Sequence, residues 1–476
     1  MNYSKAGFGS YRIDISIKDH YDALNYALTN GINLIDTSAN YADGRSEQLI
    51  AKVIEDLISE KKIKRDELTI VTKGGYIQGQ NYKFASKLKQ EGKPFEDVVE
   101  YSERLWHCIS PGFLEDQISR QLHRLNQDYA DVYLLHNPEY YLGWAENNKI
   151  DRQEAEKIYY ERIRKAFEFL EKKVSEGKIR EYGISSNTFA LRQSVYDFTS
   201  LEKVLAIAES VSENHNFKTI QLPFNLIEAG AVTNKNQSGN TKTVLEFAFE
   251  NKIKVLINRP LNAITSKGLV RLADFKWEAF QEKDFIKQIK LVGLMEDDLM
   301  SEKIPKEDLS EEDLKALKGI LNAGKLIEEN WKFFGSIEHF NDVLSQQFIP
   351  KISRLMDIAD EKIKEISVKD FISGYIKEVY KLLNLTGNYY KMRADKRSKF
   401  IHGLINKYLE EKFQGLSLSQ KTVLLLSSVE GINCVLTGMR KVSYAEDICG
   451  VMNEDKIKNA KEIIRFVSEE IERAEN

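Results

Sequence analysis

NLIDTSANY, residues 33–41, is an apolar strand that runs into a carboxylate, with a tyrosine five residues after the aspartate. Two further apolar strands also end in polar residues: LTIVTK at residues 68–73 and DVYLLH at residues 131–136. A carboxylate, a tyrosine, a lysine and a histidine are therefore delivered to the carboxyl ends of successive strands. In a barrel of alternating strands and helices, that end carries the chemistry, because its loops vary while the strands hold the side chains rigidly.

The rest of the chain repeats this strand-then-helix pattern. Apolar runs bounded by turn signals predict strands at residues 6–13, 33–38, 68–74, 130–136, 181–186, 219–224, 253–259 and 432–438. Helical patterns predict helices at residues 19–30, 46–59, 111–126, 153–176, 200–212, 241–251, 417–428 and 456–473. Because this alternation makes the strands parallel, eight such units predict a closed (β/α)8 TIM barrel of the α/β class.

Two long stretches interrupt the pattern. Residues 74–110 carry aromatic and charged side chains but no predicted strand, and a connection of this length is usually functional or disordered. Residues 265–415 carry apolar side chains at helical spacing and are predicted to form several helices. The predicted organisation is therefore a barrel made of residues 1–264 and 416–476, with a lid or subdomain inserted between strand seven and helix seven.

The composition narrows the class of partner. The 476 residues carry 69 basic and 73 acidic side chains, a net charge of −4, so nothing favours nucleic acid or an acidic membrane surface. The three cysteines lack metal-ligand spacing, and reduced thiols and no metal site are expected. The first residues lack the apolar core of a secretory signal, which favours a cytoplasmic location. The expected partner is a small molecule.

The four polar side chains at the strand ends suit proton delivery to a carbonyl oxygen. A free tyrosine has a pKa of about 10, so Tyr41 needs a nearby cation to act near neutrality. Lys73 can supply that charge, Asp36 can hold the lysine in place, and His136 can donate to the substrate oxygen or extend the proton path. Each residue alone has a structural explanation, such as a strand-end cap; their coincidence at one barrel face favours a site.

Further motifs follow in a fixed order. They are DTSANY at 36–41 with GRSE at 44–47, Lys73, His136, GKIR at 177–180 leading into GISSN at 183–187, Gln221, Asn225, Pro260-Leu261 and TGMR at 437–440. This series resembles the aldo-keto reductase family over most of the chain outside the long insertion. Asp36 and Tyr41 match that family's first signature, and Lys73 and His136 fall where its two other catalytic residues fall.

The resemblance implies a nicotinamide-dependent carbonyl reductase that binds its cofactor across the barrel mouth without a Rossmann fold. It implies that the cofactor carboxamide is held by Ser185, with Ser186 or Asn187, and by Gln221. The other cofactor-binding positions that it implies are Pro260, Leu261, Gly438, Arg440, Lys441, Tyr444 and Asp447. Basic residues after strand eight usually meet the 2′-phosphate in this family, so Arg440 and Lys441 favour NADPH over NADH.

The chain departs from the family pattern at three places. Asn258 stands where an aromatic residue usually stacks on the nicotinamide, so that platform is either missing or supplied by the insertion. Tyr444 and Asp447 replace the more usual Gln and Glu near the adenine. Asn137 follows His136 where a pocket-lining Trp is usual, which predicts an atypical specificity.

The leading hypothesis is hydride transfer to an aldehyde or ketone, with Tyr41 protonating the developing alkoxide. A second hypothesis, of a different class, is a cofactor-sensing regulatory or scaffold protein whose helical insertion binds a protein partner. A third is an enzyme that acts mainly in the oxidative direction on a sugar or polyol. An exposed apolar patch on the insertion would favour the second hypothesis.

Overall fold

The computed structural model of the protein describes residues 3–265, 268–304 and 309–475. Eight parallel strands close into a barrel and are numbered β1 to β8 here: Ala6–Gly9, Leu34–Asp36, Thr69–Gly74, Ala130–His136, Ile179–Ser185, Phe217–Pro223, Lys254–Asn258 and Ile432–Thr437. Each strand pairs with the next along the chain, and β8 pairs with β1. The predicted (β/α)8 barrel is therefore confirmed.

The register of the strands decides which polar residues become neighbours. His136 at the end of β4 lies opposite Ser185 of β5, and Ser185 lies opposite Gln221 of β6. Because all eight strands are parallel, their carboxyl ends meet at one end of the barrel. Residues that are far apart in sequence are thus brought together there.

The barrel interior is filled by apolar side chains and by glycines that leave room for them. The innermost cluster consists of Leu34, Val71, Val132, Leu134, Leu256, Cys434 and Leu436. Gly7 of β1 lies against it, since an added Cβ would come within 2.9 Å of Cys434 Sγ. An added Cβ at Gly183 would lie 1.6 Å from the Thr219 carbonyl oxygen. Both positions need glycine for space, because interiors are close-packed.

The eight predicted helices are all present: Lys18–Thr29, Arg45–Ser59, Pro111–Leu125, Arg152–Ser175, Leu201–Val211, Val244–Glu250, Leu418–Ser428 and Ala460–Glu475. The described part of the barrel unit has five further α-helices that were not predicted: Gly79–Gln90, Tyr140–Asn147, Gly230–Thr233, Glu411–Gln414 and Val442–Cys449. The helix predicted at 241–251 begins only at Val244. The reason is a capping box, in which Thr243 Oγ1 accepts from the Glu246 amide and the Glu246 carboxylate accepts from the Thr243 amide.

The prediction that residues 74–110 carry no strand is wrong. Besides the helix Gly79–Gln90, this segment forms an antiparallel sheet of Tyr76–Ile77, Leu105–His107 and Val99–Ser102, in that spatial order. These strands are two to four residues long, too short for a readable alternation of apolar and polar residues. Strand one is also shorter than the predicted 6–13, ending at Gly9 before the exposed Tyr11.

The chain divides into two compact units, one of residues 1–261 and 404–476 and the other of residues 262–403. The predicted boundaries at 265 and 415 stay a prediction. The helices that lie in the second unit, or begin there, are Glu282–Asp298, Leu299–Lys303, Glu311–Ile320, Ala323–Asn330, Ile337–Val343, Leu344–Phe348, Ile349–Lys362 and Ile366–Asn406.

The second unit has its own apolar core, which includes Phe285, Val292, Ile327, Leu355 and Leu382. It also contains two antiparallel paired strands, Asn262–Thr265 and Gly268–Arg271, which the prediction of helices alone did not include. Within the described ranges, the chain has no helix both long and apolar enough to span a bilayer.

Candidate active site

Lys73 of β3 lies at the centre of the polar cluster at the carboxyl end of the barrel. Its side chain has no exposed surface. The ammonium donates three hydrogen bonds, to Asp36 Oδ2 at 2.7 Å, to the Thr37 carbonyl oxygen at 2.9 Å and to Tyr41 Oη at 3.3 Å. An ammonium has three N–H donors, so all of them are used and the orientation of the group is fixed.

Burial lowers the pKa of Lys73, and the Asp36 carboxylate acts in the opposite direction. Asp36, at the end of β2, accepts hydrogen bonds at both oxygens. Oδ2 accepts from Lys73, and Oδ1 accepts from Gln221 Nε2 at 2.7 Å. Both oxygens of Asp36 and all three N–H groups of Lys73 are thus hydrogen-bonded. A buried ion pair needs such additional hydrogen bonds to offset its loss of hydration.

Tyr41 follows β2 at the start of a tight turn, Tyr41–Gly44. The next two residues, Ala42 and Asp43, have φ values of 47° and 57°, a left-handed conformation that is strained for residues with a Cβ. The phenol is buried. Burial, followed by repulsion from the Asp36 carboxylate, raises the pKa of Tyr41 above its ordinary value. This direction is opposite to the one expected from Lys73 alone, so the tyrosine is kept protonated.

His136 ends β4 beside these groups. Its ring lies 6.1 Å from the Tyr41 ring, centroid to centroid, and its Nδ1 lies 3.0 Å from Ser38 Oγ. Ser38 also donates to Asn40 Oδ1 at 2.8 Å, so in that arrangement the imidazole Nδ1–H donates to the serine. Burial, followed by the positive charge of Lys73, lowers the pKa of His136 well below its ordinary value. The imidazole is therefore neutral near pH 7.

An aromatic group packs behind His136. The Tyr76 ring meets the imidazole edge to face at 4.6 Å, and Tyr140 stacks on His107 at 5.7 Å. His107 Nε2 lies 2.7 Å from the His136 carbonyl oxygen. Residue 75 has to be a glycine for this contact to form, since an added Cβ would lie 2.5 Å from the His136 carbonyl oxygen. The loop of residues 74–110 thus supports the histidine and contributes to the site.

A second buried charged group holds the backbone of β3. Gln121 Nε2 donates to the Lys73 carbonyl oxygen at 2.9 Å and to Glu47 Oε1 at 3.1 Å. Arg124 Nε donates to Glu47 Oε2 at 2.6 Å, and Tyr133 donates to Gln121 Oε1 at 3.1 Å. The signature glutamate of GRSE therefore lies behind the site and fixes the strand that carries the lysine.

The residues predicted to hold a carboxamide end β5 and lie on β6. Ser185 donates to Gln221 Oε1 at 3.1 Å, so these two are in contact. The Ser186 hydroxyl lies instead within hydrogen-bonding distance of Thr188 Oγ1, at 3.1 Å, and Thr199 Oγ1, at 3.4 Å. Ser186 is thereby engaged in a buried hydroxyl cluster. Its assignment to the cofactor stays a prediction.

Glu139 sets the position of the loop after β5. Its Oε1 accepts from the Asn187 amide at 2.8 Å, and its side chain is buried. Burial raises the pKa of Glu139 to about 7, although the hydrogen bond from that amide opposes the shift. Asn187 itself is partly exposed. Its predicted role beside Ser185 is untested.

The segment after β7 begins with Asn258. Its Nδ2 donates to Gln221 Oε1 at 3.3 Å. Arg259 is left-handed, with φ 51°, and donates to Glu228 Oε1 at 2.7 Å. Pro260 is buried and Leu261 partly exposed. They lie two and three residues after the end of β7, and their assignment to the cofactor stays a prediction.

The residues predicted to meet the phosphate and adenine follow β8. Gly438, Lys441 and Tyr444 are exposed and Arg440 is partly exposed. The Asp447 carboxylate accepts from Ser417 Oγ at 2.9 Å and from the Ser419 hydroxyl, at the start of the helix Leu418–Ser428. Asp447 therefore has a structural role at that helix start, whatever it does for a nucleotide.

The structure thus brings Asp36, Tyr41, Lys73, His136, Ser185 and Gln221 into one connected cluster, while Ser186 and Asp447 are held by other groups. Sequence reasoning missed the contributions of Ser38 and Glu139. The signal for Ser38 was its place within the 36–41 motif. The signal for Glu139 was a charged residue three positions after a strand end, a place where polar side chains already cluster.

Comparison with known proteins identifies related sequences and structures. A sequence model described as the aldo/keto reductase family matches residues 5–271. The NADH-specific methylglyoxal reductase of Escherichia coli (strain K12) is 26% identical over 144 residues, which are 29% of this chain and 39% of that protein. Aldo-keto reductase YhdN of Bacillus subtilis (strain 168) is 24% identical over 260 residues, 53% of this chain and 57% of that protein.

One solved structure, the holo form of an aldo-keto reductase from Bacillus halodurans, aligns with a TM-score of 0.46 at 14% identity. That alignment covers 98% of this chain and 93% of the other. The chain spans 39% and 57% of the lengths of the two curated relatives.

Proposed function

We propose, from the premise that this chain belongs to the aldo/keto reductase family, that it reduces an aldehyde or ketone with a nicotinamide nucleotide and that Tyr41 is the general acid. The observation that carries the proposal is the hydrogen bond from the Lys73 ammonium to Tyr41 Oη at 3.3 Å. Because the phenol oxygen accepts from the lysine, its own proton is directed to another acceptor. A carbonyl oxygen in the mouth of the barrel is an acceptor of the required kind.

The other side chains hold this donor in place. Asp36 fixes the lysine, and the lysine fixes the tyrosine oxygen. A protonated phenol and an ammonium would together stabilise negative charge that develops on a substrate oxygen. Their burial strengthens each of these interactions, because the local dielectric constant is low. Proton transfer of this kind contributes roughly 10²- to 10⁴-fold to a rate.

The residues present suit a nicotinamide nucleotide. A buried acceptor, Asn258 Oδ1, has no hydrogen-bond partner among the described residues, and a carboxamide would offer it an N–H. When bound, the nicotinamide would supply the hydride. Ser185, Asn187 and Gln221 would hold the carboxamide end, and Pro260 and Leu261 would line the path beyond it. Gly438, Tyr444 and Asp447 are proposed for the adenine end.

NADPH is the proposed form of the cofactor, because Arg440 and Lys441 follow β8 and present positive charge at the surface. The Escherichia coli relative is named for NADH, so the choice requires a direct measurement. We expect Arg440→Gln with Lys441→Gln to weaken NADPH binding by about tenfold and to leave NADH binding unchanged. Equal weakening of both nucleotides would reject these two residues as phosphate ligands.

The test of the whole proposal is a titration of the full chain with NADPH and with NADH. Quenching of the intrinsic protein fluorescence measures the binding. The tighter nucleotide is then used in a turnover assay on a panel of aldehydes and ketones. Methylglyoxal belongs in that panel, because one relative is named for it. Absence of binding to either nucleotide would reject the proposal. Binding without turnover of any carbonyl compound would favour a cofactor-sensing role.

A further inference from the structure

A string of hydrogen bonds crosses the carboxyl end of the barrel from β7 to β2. Asn258 Nδ2 donates to Gln221 Oε1 at 3.3 Å, and Gln221 Nε2 donates to Asp36 Oδ1 at 2.7 Å. The string continues from Asp36 through Lys73 to Tyr41, the proposed proton donor. It therefore connects the end of β7 to the reacting group by side chains alone.

The orientation of both amides in this string follows from the ion pair at its end. Asp36 accepts from the Lys73 ammonium and is a carboxylate, which can only accept hydrogen bonds. Gln221 must therefore present its NH₂ group to Asp36 and its oxygen to the other side. Asn258 must in turn present its NH₂ group to that oxygen. The two assignments, which electron density often leaves open, are fixed here by charge.

The oxygen of Gln221 has no capacity left for a ligand. A carbonyl oxygen has two lone pairs, and those of Gln221 Oε1 accept from Ser185 at 3.1 Å and from Asn258 at 3.3 Å. Gln221 can therefore offer a bound carboxamide only its second N–H, and no acceptor. An acceptor for a carboxamide N–H has to come from another residue.

Asn258 Oδ1 is a buried acceptor that is available for this role. The fixed orientation leaves this oxygen at the far side of the amide, where it is buried and has no hydrogen-bond partner among the described residues. Buried acceptors of this kind are rare in native proteins and call for a partner. Residue 258 ends β7, beside β6, with the Cα of Asn258 paired with that of Pro223.

We infer that Asn258 is a cofactor-binding residue whose Oδ1 accepts the carboxamide N–H of the nicotinamide, and that Gln221 couples this contact to the Asp36–Lys73 pair. The inference rests on the proposed function. Asn258 would then bind the nicotinamide through a directional hydrogen bond. An aromatic side chain at the same position would stack on the ring instead. Selectivity should then depend on the substituent of the pyridine ring.

The test compares two reduced dinucleotides that differ at this substituent. NADPH carries a carboxamide, whereas its 3-acetylpyridine analogue carries a methyl ketone and has no N–H. We expect the parental protein to bind NADPH about tenfold more tightly than the analogue, as loss of one buried hydrogen bond implies. Asn258→Leu, similar in size but without the acceptor, should bind both dinucleotides with equal affinity. Dissociation constants from fluorescence titration give the readout, independently of turnover.

Asn258→Asp is the matched control. It has nearly the same shape and keeps an acceptor for the carboxamide, so the preference for NADPH should persist, although its contact with Gln221 Oε1 becomes repulsive. A parental protein that binds both dinucleotides equally would overturn the inference, even if the leucine variant failed to fold. A tenfold preference that survives in Asn258→Leu would overturn it as well. If the parental protein binds neither dinucleotide, the proposed function fails first and this inference fails with it.

Discussion

The two ends of the barrel both carry dense charge but arrange it differently. At the amino end, a groove of about 690 Å³ is lined by residues that include Arg65, His123, Asp128, Lys173 and Lys178. The carboxylates bound to Lys173 are in contact with water: the lysine side chain is 6% exposed, but its partners Glu115 and Glu176 are 51% and 37% exposed. At the carboxyl end, Lys73 and Asp36 are 0% and 6% exposed.

The two ends therefore differ in how strongly their ion pairs depend on each partner. A charge in water loses little when its partner is removed, because solvent screens it. Removing a partner from a buried charge costs more, because no solvent replaces that partner. A side chain that several partners hold also has a fixed geometry, which a reaction requires. The carboxyl end is therefore the candidate site. Four predictions test that contrast.

The largest effect is expected for Tyr41→Phe. It removes the proton donor and keeps the ring that packs against His136. We expect kcat for carbonyl reduction to fall by about 10²- to 10⁴-fold, with the nucleotide dissociation constant nearly unchanged. Steady-state kinetics and fluorescence titration measure the two quantities. Turnover at the parental rate would show that the proton comes from another group.

The second prediction compares a lysine at each end. Lys73→Met leaves the Asp36 carboxylate buried without its cation, and should lower the free energy of unfolding by about 3–5 kcal/mol. Lys173→Met leaves two carboxylates that are already in contact with water, and should cost about 1 kcal/mol or less. Urea denaturation at pH 7 measures both. Similar losses at the two ends would remove the basis of the contrast.

The third prediction concerns pH. Burial raises the pKa of Glu139 from 4.5 to about 7, so between these values the folded state binds more protons than the unfolded state. Stability from this group is present at low pH and is lost as pH rises through about 7, by roughly 2–3 kcal/mol. Glu139→Gln should remove that loss. The free energy of unfolding of the variant, relative to that of the parental protein, should therefore be higher at pH 8 than at pH 5.

Unfolding free energies measured from pH 5 to pH 8 check this expectation. Gly112→Ala, which changes no titratable group and has no atom within 4 Å of the added carbon, is the control and should have the pH dependence of the parental protein. A parental pH dependence that persists in Glu139→Gln would show that another group titrates.

The smallest effect is expected from a single methyl group. Gly75→Ala would place a Cβ 2.5 Å from the His136 carbonyl oxygen and 2.7 Å from His107 Nε2, so the histidines must move. We expect a roughly tenfold loss of kcat from that displacement. Gly112→Ala has no atom within 4 Å of the added carbon and should change neither kcat nor stability appreciably. Equal kinetics for the two variants would mean that the His107–His136 contact is unimportant.

The sequence predicted the parts of the molecule that depend on local patterns. Each barrel strand is an apolar run that a helical pattern follows, and all eight were located. The short strands at 76–77, 99–102 and 105–107 were missed, because two to four residues show no reliable period and their pairing is with distant segments. The late start of the helix at Val244 depends on a side-chain cap, a feature that the apolar pattern does not contain.

For the candidate site, the sequence by itself determined which residue types reach the carboxyl end: Asp36, Tyr41, Lys73 and His136 follow strands whose ends a parallel barrel must gather. Only the tertiary structure decided which group donates to which. Gln221 and Asp36 are 185 positions apart in the chain, yet their hydrogen bond orients both amides of the string. The physical reason is that periodicity records burial, whereas hydrogen-bond partners and pKa shifts depend on distances between atoms that only the closed barrel brings together.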